Sequence, residues 1–527
     1  MDAEAKQIDE TTMFGGSPAR ILRLSPAGCQ ALSELRAGPI RSAAAGVLAR
    51  RLTDAGLAHP CPPTADGPLH VTVVIPVRDR PVMLDRCLAA LGRQYPVIVV
   101  DDGSADAAAV AEVAVRHGAR LITRESSGGP AAARNTGLAE IQAEPAVRII
   151  AFLDSDCVPP ADWISRLAGH LADPQVGAVA PRIVVPAAED GSGAGAGSGA
   201  GLAGSGARLA ARVRTAAARY AVACGSLDLG DRAARVVPGT RVSYVPTAAL
   251  LVRREALAGL APQAEPRAAG AAGPFDPALR YGEDVDLVWR LHQAGWRIRY
   301  DPSVQVVHRG PDTWTGLLAR RFRYGTSAGP LATRHPANLA PLVLQPWPAT
   351  AAAALLARRP LTAAAAVAGY WLSLSATLRR ADVPADGTLA ASLAGTRQTW
   401  LGIGRYATQF AAPAVALGLA RPGGRRPLTR WGRRAALASL LLGPAVTAYR
   451  ETRQGLDPVT FTVAHIADDV SYGAGVWAGC ITERTAIPLR PALLWRPLRF
   501  STADAPAATA GELAPSGGAR AQTAAPT

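Results

Sequence analysis

The stretch VTVVIPVRDR, Val71 to Arg80, opens on an uncharged, β-branched run. A continuous apolar run of this kind, without alternation, marks a strand covered on both faces, as in a parallel sheet. Reading outward, a helix follows over Val82–Gly92, then the strand Val97–Val100 ending in Asp101-Asp102-Gly103-Ser104. The helix AAAVAEVAVRHG, the strand Arg120–Thr123, the glycine-entered helix of GGPAAARNTGLAEI and the strand Arg148–Leu153 come next, ending in Asp154-Ser155-Asp156. This β-α-β-α-β-α-β order predicts an α/β fold, a doubly wound and mostly parallel sheet. Such sheets bind ligands beyond the carboxyl ends of their strands, where both aspartate clusters fall. VSYVPTAALLVRREAL (Val242–Leu257) and the segment through Gly310 are expected to continue the sheet.

The 527 residues allow several domains. Residues 1–12 are polar and expected to be disordered; residues 13–62 combine a strand with two short helices, as a small winged-helix-like module would. CPPTADGP supplies a linker over 63–68, and the α/β domain occupies 69–340. Within it, 187–210 is a Gly/Ala/Ser insertion expected to be disordered, and 501–527 is a tail of the same character. Residues 341–500 run in Ala/Leu stretches broken by arginine, including RPGGRRPLTRWGRR from Arg421 to Arg434. No stretch reaches the about 20 clean apolar residues of a comfortable span. The expectation is an α-helical region on the cytoplasmic face of a membrane, drawn to anionic headgroups; a cytoplasmic helical domain is the alternative.

Hydrophobic residues make up 49% and charged residues 18%, which excludes a disordered chain. The six cysteines form no CxxC pair, so neither a disulfide scaffold nor a zinc site is expected. Net charge is +15 and Lys6 is the sole lysine. The excess suits anionic partners such as nucleotide diphosphates; without an aromatic-interleaved basic patch, nucleic acid is not expected. The N-terminus has no apolar run, so no secretory signal is expected.

Four signals carry chemistry. Asp154 and Asp156, just past a buried strand, can hold Mg²⁺ or Mn²⁺ against a diphosphate, although strand-to-loop turns recruit aspartate anyway. In VVDDGS an aspartate can bind a base or ribose, or cap the next helix. In GGPAAARNTG, Arg134 can reach phosphate or the acidic centre, or the glycines can simply allow a close turn. In GEDVDLVWR, a carboxylate can deprotonate an acceptor hydroxyl, or Glu283, Asp284 and Asp286 can complement a helix dipole.

The motifs VTVVIPVRDR, VVDDGS, GGPAAARNTG, FLDSD and GEDVDLVWRLHQAGWRIRYDP, in that order over Val71–Gly310, resemble the family 2 glycosyltransferases of GT-A fold. The resemblance implies a nucleotide-sugar donor, a divalent cation (Mg²⁺ or Mn²⁺) and an inverting single displacement. It implies that Pro76, Arg78 and Asp101 contact base and ribose, with Arg134 and Asp154 also on the donor. Asp156 becomes the direct metal ligand, beside Asp154 and His308. Asp284 becomes the catalytic base, supported by Glu283. The flanks, GGSPARILRLSPAG with LARRLTDAGLAHP and then ARRFRYGTSAGPLATRHP, resemble the glycosyltransferases of mycofactocin biosynthesis. That resemblance implies transfer of glucose from UDP-glucose to a peptide-derived redox cofactor precursor, building a β-1,4-linked oligoglucoside. It also suggests peptide docking for 13–62, and closure over the donor or acceptor by Arg321, Arg323, Tyr324 and Arg334. The alternative acceptor is a lipid-linked or cell-envelope glycan. An inactive scaffold conflicts with intact DSD and ED motifs, and a nucleotidyltransferase with the missing Gly/Lys phosphate loop.

Overall fold

A computed structural model describes residues 1–17, 20–186, 213, 215–260, 273–380, 383–420, 427–452, 455–494 and 500–501. The 187–210 insertion, the tail beyond Ser501 and several arginines of the 421–434 segment lie outside the described residues.

The N-terminal module holds strands β1 (Lys6–Gln7), β2 (Thr12–Gly15) and β3 (Arg20–Arg23), then helices α1 (Pro26–Ala37) and α2 (Ala43–Ala55). Ser25 and Ser42 cap the two helices through their side chains. Met13, Leu22, Leu32, Leu48 and Leu52 close a small core. Residues 1–12 were expected to be disordered; instead Lys6 and Gln7 pair with Phe14 and Met13, and Asp2 takes His59 at 2.8 Å. A polar sequence is ordered here because a ready strand edge and a charge partner receive it. The module is tied to the next domain: Asp54 pairs with Arg297 at 2.8 Å, and the Asp54 carbonyl accepts from Arg235 at 2.8 Å. The Pro-rich connection packs too, with the Ala65 N–H donating to Ser165 at 2.9 Å.

The central domain runs β4 (Val71–Val77), α3 (Pro81–Leu91), β5 (Val97–Asp101), α4 (Ala107–His117), β6 (Arg120–Thr123), α5 (Gly129–Gln142), β7 (Ile149–Leu153), β8 (Cys157–Val158), α6 (Trp163–Ala168) and β9 (Val176–Val184). It continues with α7 over 215–223, β10 (Ala234–Arg235), β11 (Ala249–Arg253), α8 (Arg254–Ala258), α9 (Glu283–Gln293) and β12 (Arg297–His308). The sheet order is β10-β12-β9-β11-β7-β4-β5-β6, with β8 on β12. Strands β7, β4, β5 and β6 are parallel; β11 enters antiparallel between β7 and β9. The β-branched run of β4 serves two cores: Val74 faces the side that holds Leu138 and Leu287, Val73 and Ile75 the side that holds Leu88 and Trp163. Gly137 lets α5 lie directly on the sheet, since a Cβ there would stand 2.6 Å from Val74 Cγ1. The β4, β5 and β7 carboxyl ends, with their aspartates, therefore open at one edge.

The C-terminal part is helical: α10 (Trp314–Thr326), α11 (Ala328–Arg334), α12 (Pro346–Leu356), α13 (Pro360–Arg380), α14 (Thr388–Ala420), α15 (Pro427–Thr452) and α16 (Pro458–Thr482). Strands β13 (Val343–Leu344) and β14 (Ala492–Leu493) clasp its two ends, and β15 (Phe500–Ser501) pairs with β3. Helix α16 lies against α10 at backbone distance: a Cβ on Gly325 would meet the Tyr472 carbonyl at 2.2 Å, and one on Gly479 the Thr326 carbonyl at 2.4 Å. This contact brings the C-terminal helices to the carboxyl edge of the sheet. Among the described residues one helix, α13, is long and apolar enough to cross a membrane, with mean hydropathy 1.4 and 17% of that window buried.

Candidate active site

A cavity of about 1260 Å³ opens at that edge. Its floor is the sequence the motifs singled out. Pro76 and Arg78 leave β4, Asp154 and Asp156 leave β7, Arg134 projects from α5, Glu283 and Asp284 begin α9, and His308 ends β12. All of these residues line the cavity.

Asp101 does not. It is fully buried, and its Oδ1 accepts from Ser104 N at 3.0 Å and Ser104 Oγ at 2.5 Å, so it closes the turn beneath the cavity. Its neighbour Asp102 is on the wall instead. Asp102 accepts from Gly128 N at 3.0 Å, Gly129 N at 2.8 Å and Ser127 Oγ at 2.7 Å, with Arg124 at 2.9 Å. Adjacent strand-end residues point to opposite sides, and the motif offered both aspartates without saying which side faced out. Arg78 donates to Ser127 Oγ at 2.9 Å, extending the same loop network over the cavity rim.

The acidic centre is built around Arg134. This buried guanidinium donates to Asp154 Oδ1 at 2.7 Å and Glu283 Oε1 at 2.9 Å, and sits 5.6 Å from the Phe275 ring centroid. It joins the end of β7 to α9, reaching Glu283 across 149 residues of chain. Gly282, with φ 83°, sets up the start of α9 in a backbone region that favours glycine. The helix N-terminus stabilises ionised Glu283 and Asp284, yet burial wins. Burial, aided by Asp284 and opposed by Arg134, pushes Glu283 up to about 7. Burial also raises Asp284, which accepts from Val285 N at 2.8 Å. Asp154 is raised by burial and by Asp156 against the pull of Arg134. A carboxylate whose affinity for a proton is increased is a better general base. Asp286, the other acid of the motif, is not part of the cavity: it is buried between Arg290 at 2.8 Å and His335 at 2.9 Å. Its charge ties α9 to His335 at the end of α11.

Asp156 faces two partners, Arg80 Nη1 at 2.6 Å and His308 Nε2 at 3.5 Å. Burial lowers the His308 pKa, keeping its imidazole neutral and able to offer a lone pair. One carboxylate beside one neutral imidazole is a donor set that fits a divalent cation whose other positions come from a diphosphate. Asp154 leans instead on Arg134. Among the described residues, no group of three or more His, Cys, Asp or Glu stands ready to hold a metal by itself.

The sequence reading missed Arg80, Tyr244 and Arg405, all on the wall, and chose Asp101 where Asp102 lines it. Arg80 follows Asp79, a non-glycine at φ 54° whose Oδ1 accepts from Ala105 N at 2.8 Å. Only the RDR triplet hinted at it. Arg321, Arg323 and Tyr324 line the cavity from α10, whereas Arg334 turns away to pair with Asp276.

Residues 72–199 match the family described as Glycosyl transferase family 2, and residues 200–391 match Glycosyl transferase family group 2. With the doubly wound sheet and its acidic carboxyl-edge cavity, these matches show that the chain belongs to the family 2 glycosyltransferases. It is similar along nearly its whole length to the Pre-mycofactocin glycosyltransferase of Mycobacterium tuberculosis, strain H37Rv. The two are 36% identical over 494 residues, covering 92% of this chain and 94% of the relative. An N-acetylglucosaminyltransferase of Rhizobium meliloti is 27% identical over 267 residues, 49% of this chain and 55% of that one. Among solved structures, GalNAc-T7 with UDP, GalNAc and Mn²⁺ gives a TM-score of 0.29 at 18% identity, covering 46% of this chain and 43% of that one.

Proposed function

We propose that this glycosyltransferase moves glucose from UDP-glucose to a peptide-derived redox cofactor precursor of the pre-mycofactocin kind, building a β-1,4-linked oligoglucoside. The observation that carries the reading is the convergence of Arg134, Asp154, Asp156 and Asp284 on one cavity, in a chain alike over 92% of its length to a relative of that name. Asp284 takes the proton of the acceptor hydroxyl while that oxygen attacks the sugar C1 from the face opposite the diphosphate. The C1–phosphate bond breaks as the new bond forms, so a single displacement inverts the anomeric centre. Arg134 holds Asp154 and Glu283 in place and keeps part of the acidic charge compensated. Pro76 and Arg78 line the donor end, joined there by Asp102 in place of Asp101. Mg²⁺ or Mn²⁺ on Asp156, with His308 beside it and Asp154 within the same cluster, would neutralise charge on the leaving diphosphate.

Exposed α13 favours a position at the cytoplasmic face of a membrane, and with it a second reading in which the acceptor is a lipid-linked or cell-envelope glycan. One experiment separates the two. Purified protein is given UDP-glucose, GDP-mannose or a rhamnose nucleotide with Mn²⁺ or Mg²⁺, with and without the precursor; Asp156→Ala and Asp284→Ala serve as controls. Metal-dependent UDP-glucose turnover that the precursor stimulates, and that both variants lose, is the expected result. Turnover indifferent to the precursor, or a different preferred donor, would move the function to envelope glycans.

A further inference from the structure

The cavity has a second half, whose wall comes from the C-terminal helices. Tyr406, Gln409 and Phe410 of α14 and Tyr472 of α16 face it. Their placement is built in. Pro413 has no N–H to offer the Gln409 carbonyl four residues back, and α14 bends at Ala411, immediately after Phe410. Gly473 then lets α16 press on the freed carbonyl: a Cβ there would lie 1.8 Å from the Gln409 oxygen. The Trp477 indole donates to the Phe410 carbonyl at 3.3 Å, locking the bend to α16.

The rings are held as well as placed. Tyr406 meets Phe410 edge-on with centroids 5.0 Å apart, and its hydroxyl donates to the Leu489 carbonyl at 2.6 Å. Phe410 and Tyr472 rest on Ala328, Val476 and Cys480. Gln409 donates to Asp469 at 2.8 Å, fixing the polar edge of the patch. Tyr244 joins the two halves. Burial first, and then nearby Asp284 and Tyr472, push its phenol above the usual tyrosine range.

We propose that this half is the acceptor subsite, in which Tyr406, Phe410 and Tyr472 hold the acceptor by the apolar face of a ring while its hydroxyl meets Asp284. The inference rests on the glycosyl-transfer reading above and adds the chemistry of acceptor recognition. Two observations support it. The volume of about 1260 Å³ exceeds the roughly 300–1,000 Å³ that encloses one drug-sized ligand, so donor and acceptor fit together. The helical wall also presents Tyr406, Phe410 and Tyr472 together, among Arg321, Arg323 and Arg405, and aromatic faces favour ring-shaped partners. An aryl group and a pyranose both present such a face.

Calorimetric titration of the UDP-loaded, full-length protein tests the assignment. The probes are 4-nitrophenyl β-glucoside, which carries an aryl ring and a pyranose, and methyl β-glucoside, which carries the pyranose alone. Phe410→Ala and Tyr472→Ala should each weaken the nitrophenyl probe about tenfold while UDP affinity stays within twofold. Phe410→Tyr and Tyr472→Phe should restore wild-type binding. A loss confined to the nitrophenyl probe identifies aryl recognition, and an equal loss for both identifies pyranose recognition. Alanine variants that bind like wild type, variants that lose UDP in parallel, or a UDP-loaded wild type that binds neither glucoside would each overturn the subsite. A wild type that binds no nucleotide at all would instead remove the functional reading, and the subsite with it.

Discussion

Replacing Arg134 by methionine isolates the charge arrangement at the heart of the site. The substitution keeps much of the side-chain volume and removes the guanidinium that spans Asp154 and Glu283 at 2.7 and 2.9 Å. Breaking a buried ion pair from one side costs about 3–5 kcal/mol, because a charge is left uncompensated in a poorly hydrated place. Here the cost depends on pH. Glu283 already titrates at about 7 in the folded protein, raised by burial above its ordinary 4.5. A carboxyl with a raised folded pKa contributes stability that is full below about pH 4.5 and is lost as pH rises through about 7. Without Arg134 the folded pKa rises further, so the loss extends to higher pH. Each unit is worth about 1.4 kcal/mol. The variant should therefore lose about 3–5 kcal/mol at pH 8 and roughly 1 kcal/mol less at pH 6, since wild-type Glu283 also takes up much of its proton between the two values. Urea unfolding followed by near-ultraviolet circular dichroism, at both pH values beside wild type, measures this. Equal destabilisation at the two pH values, or a larger loss at pH 6, would refute the account of Arg134 as the counter-charge of the acidic centre.

Other outcomes follow from the same geometry. Asp284→Asn should lower kcat by roughly 10²–10⁴ in the transfer assay, the usual contribution of a general base. The acid limb of the wild-type profile should lie above that of an ordinary aspartate, because burial raises Asp284. Iodoacetamide should label exposed Cys61 in the native protein and leave Cys87 and Cys157 untouched until unfolding, since both thiols are buried and pushed up by burial and the neighbouring aspartates; peptide mass mapping reads this directly. Gly473→Ala should lower the melting temperature and weaken the nitrophenyl probe, because its methyl group meets the Gln409 carbonyl rather than a side chain that can swing aside. A variant as stable as wild type would show that α16 can shift along α14.

The strand edge and its acids were legible in the sequence for a plain reason. A strand buried on both faces must be continuously apolar, and its end is where polar residues first become tolerable, so VVDDGS and FLDSD announce both the strand and the mouth of the site. Order along the chain likewise pointed to Arg134, Glu283 and Asp284. Side-chain direction was not legible. Asp101 and Asp102 are equivalent in sequence, and only the turn made with Ser104 sends the first inward and leaves the second on the wall. Glu283, Asp284 and Asp286 likewise read alike, and only His335, 49 residues later, shows that Asp286 is an anchor. The N-terminal twelve residues look unstructured in isolation because nothing local holds them; strand β2 and His59 do. The C-terminal helices read as an apolar appendage from composition. Their place on the cavity depends on glycines of α10 and α16 meeting backbone to backbone, and on one proline bend in α14. Local periodicity encodes elements and their exposed ends; which distant elements share a wall is settled by packing, and packing exists only once the chain has folded.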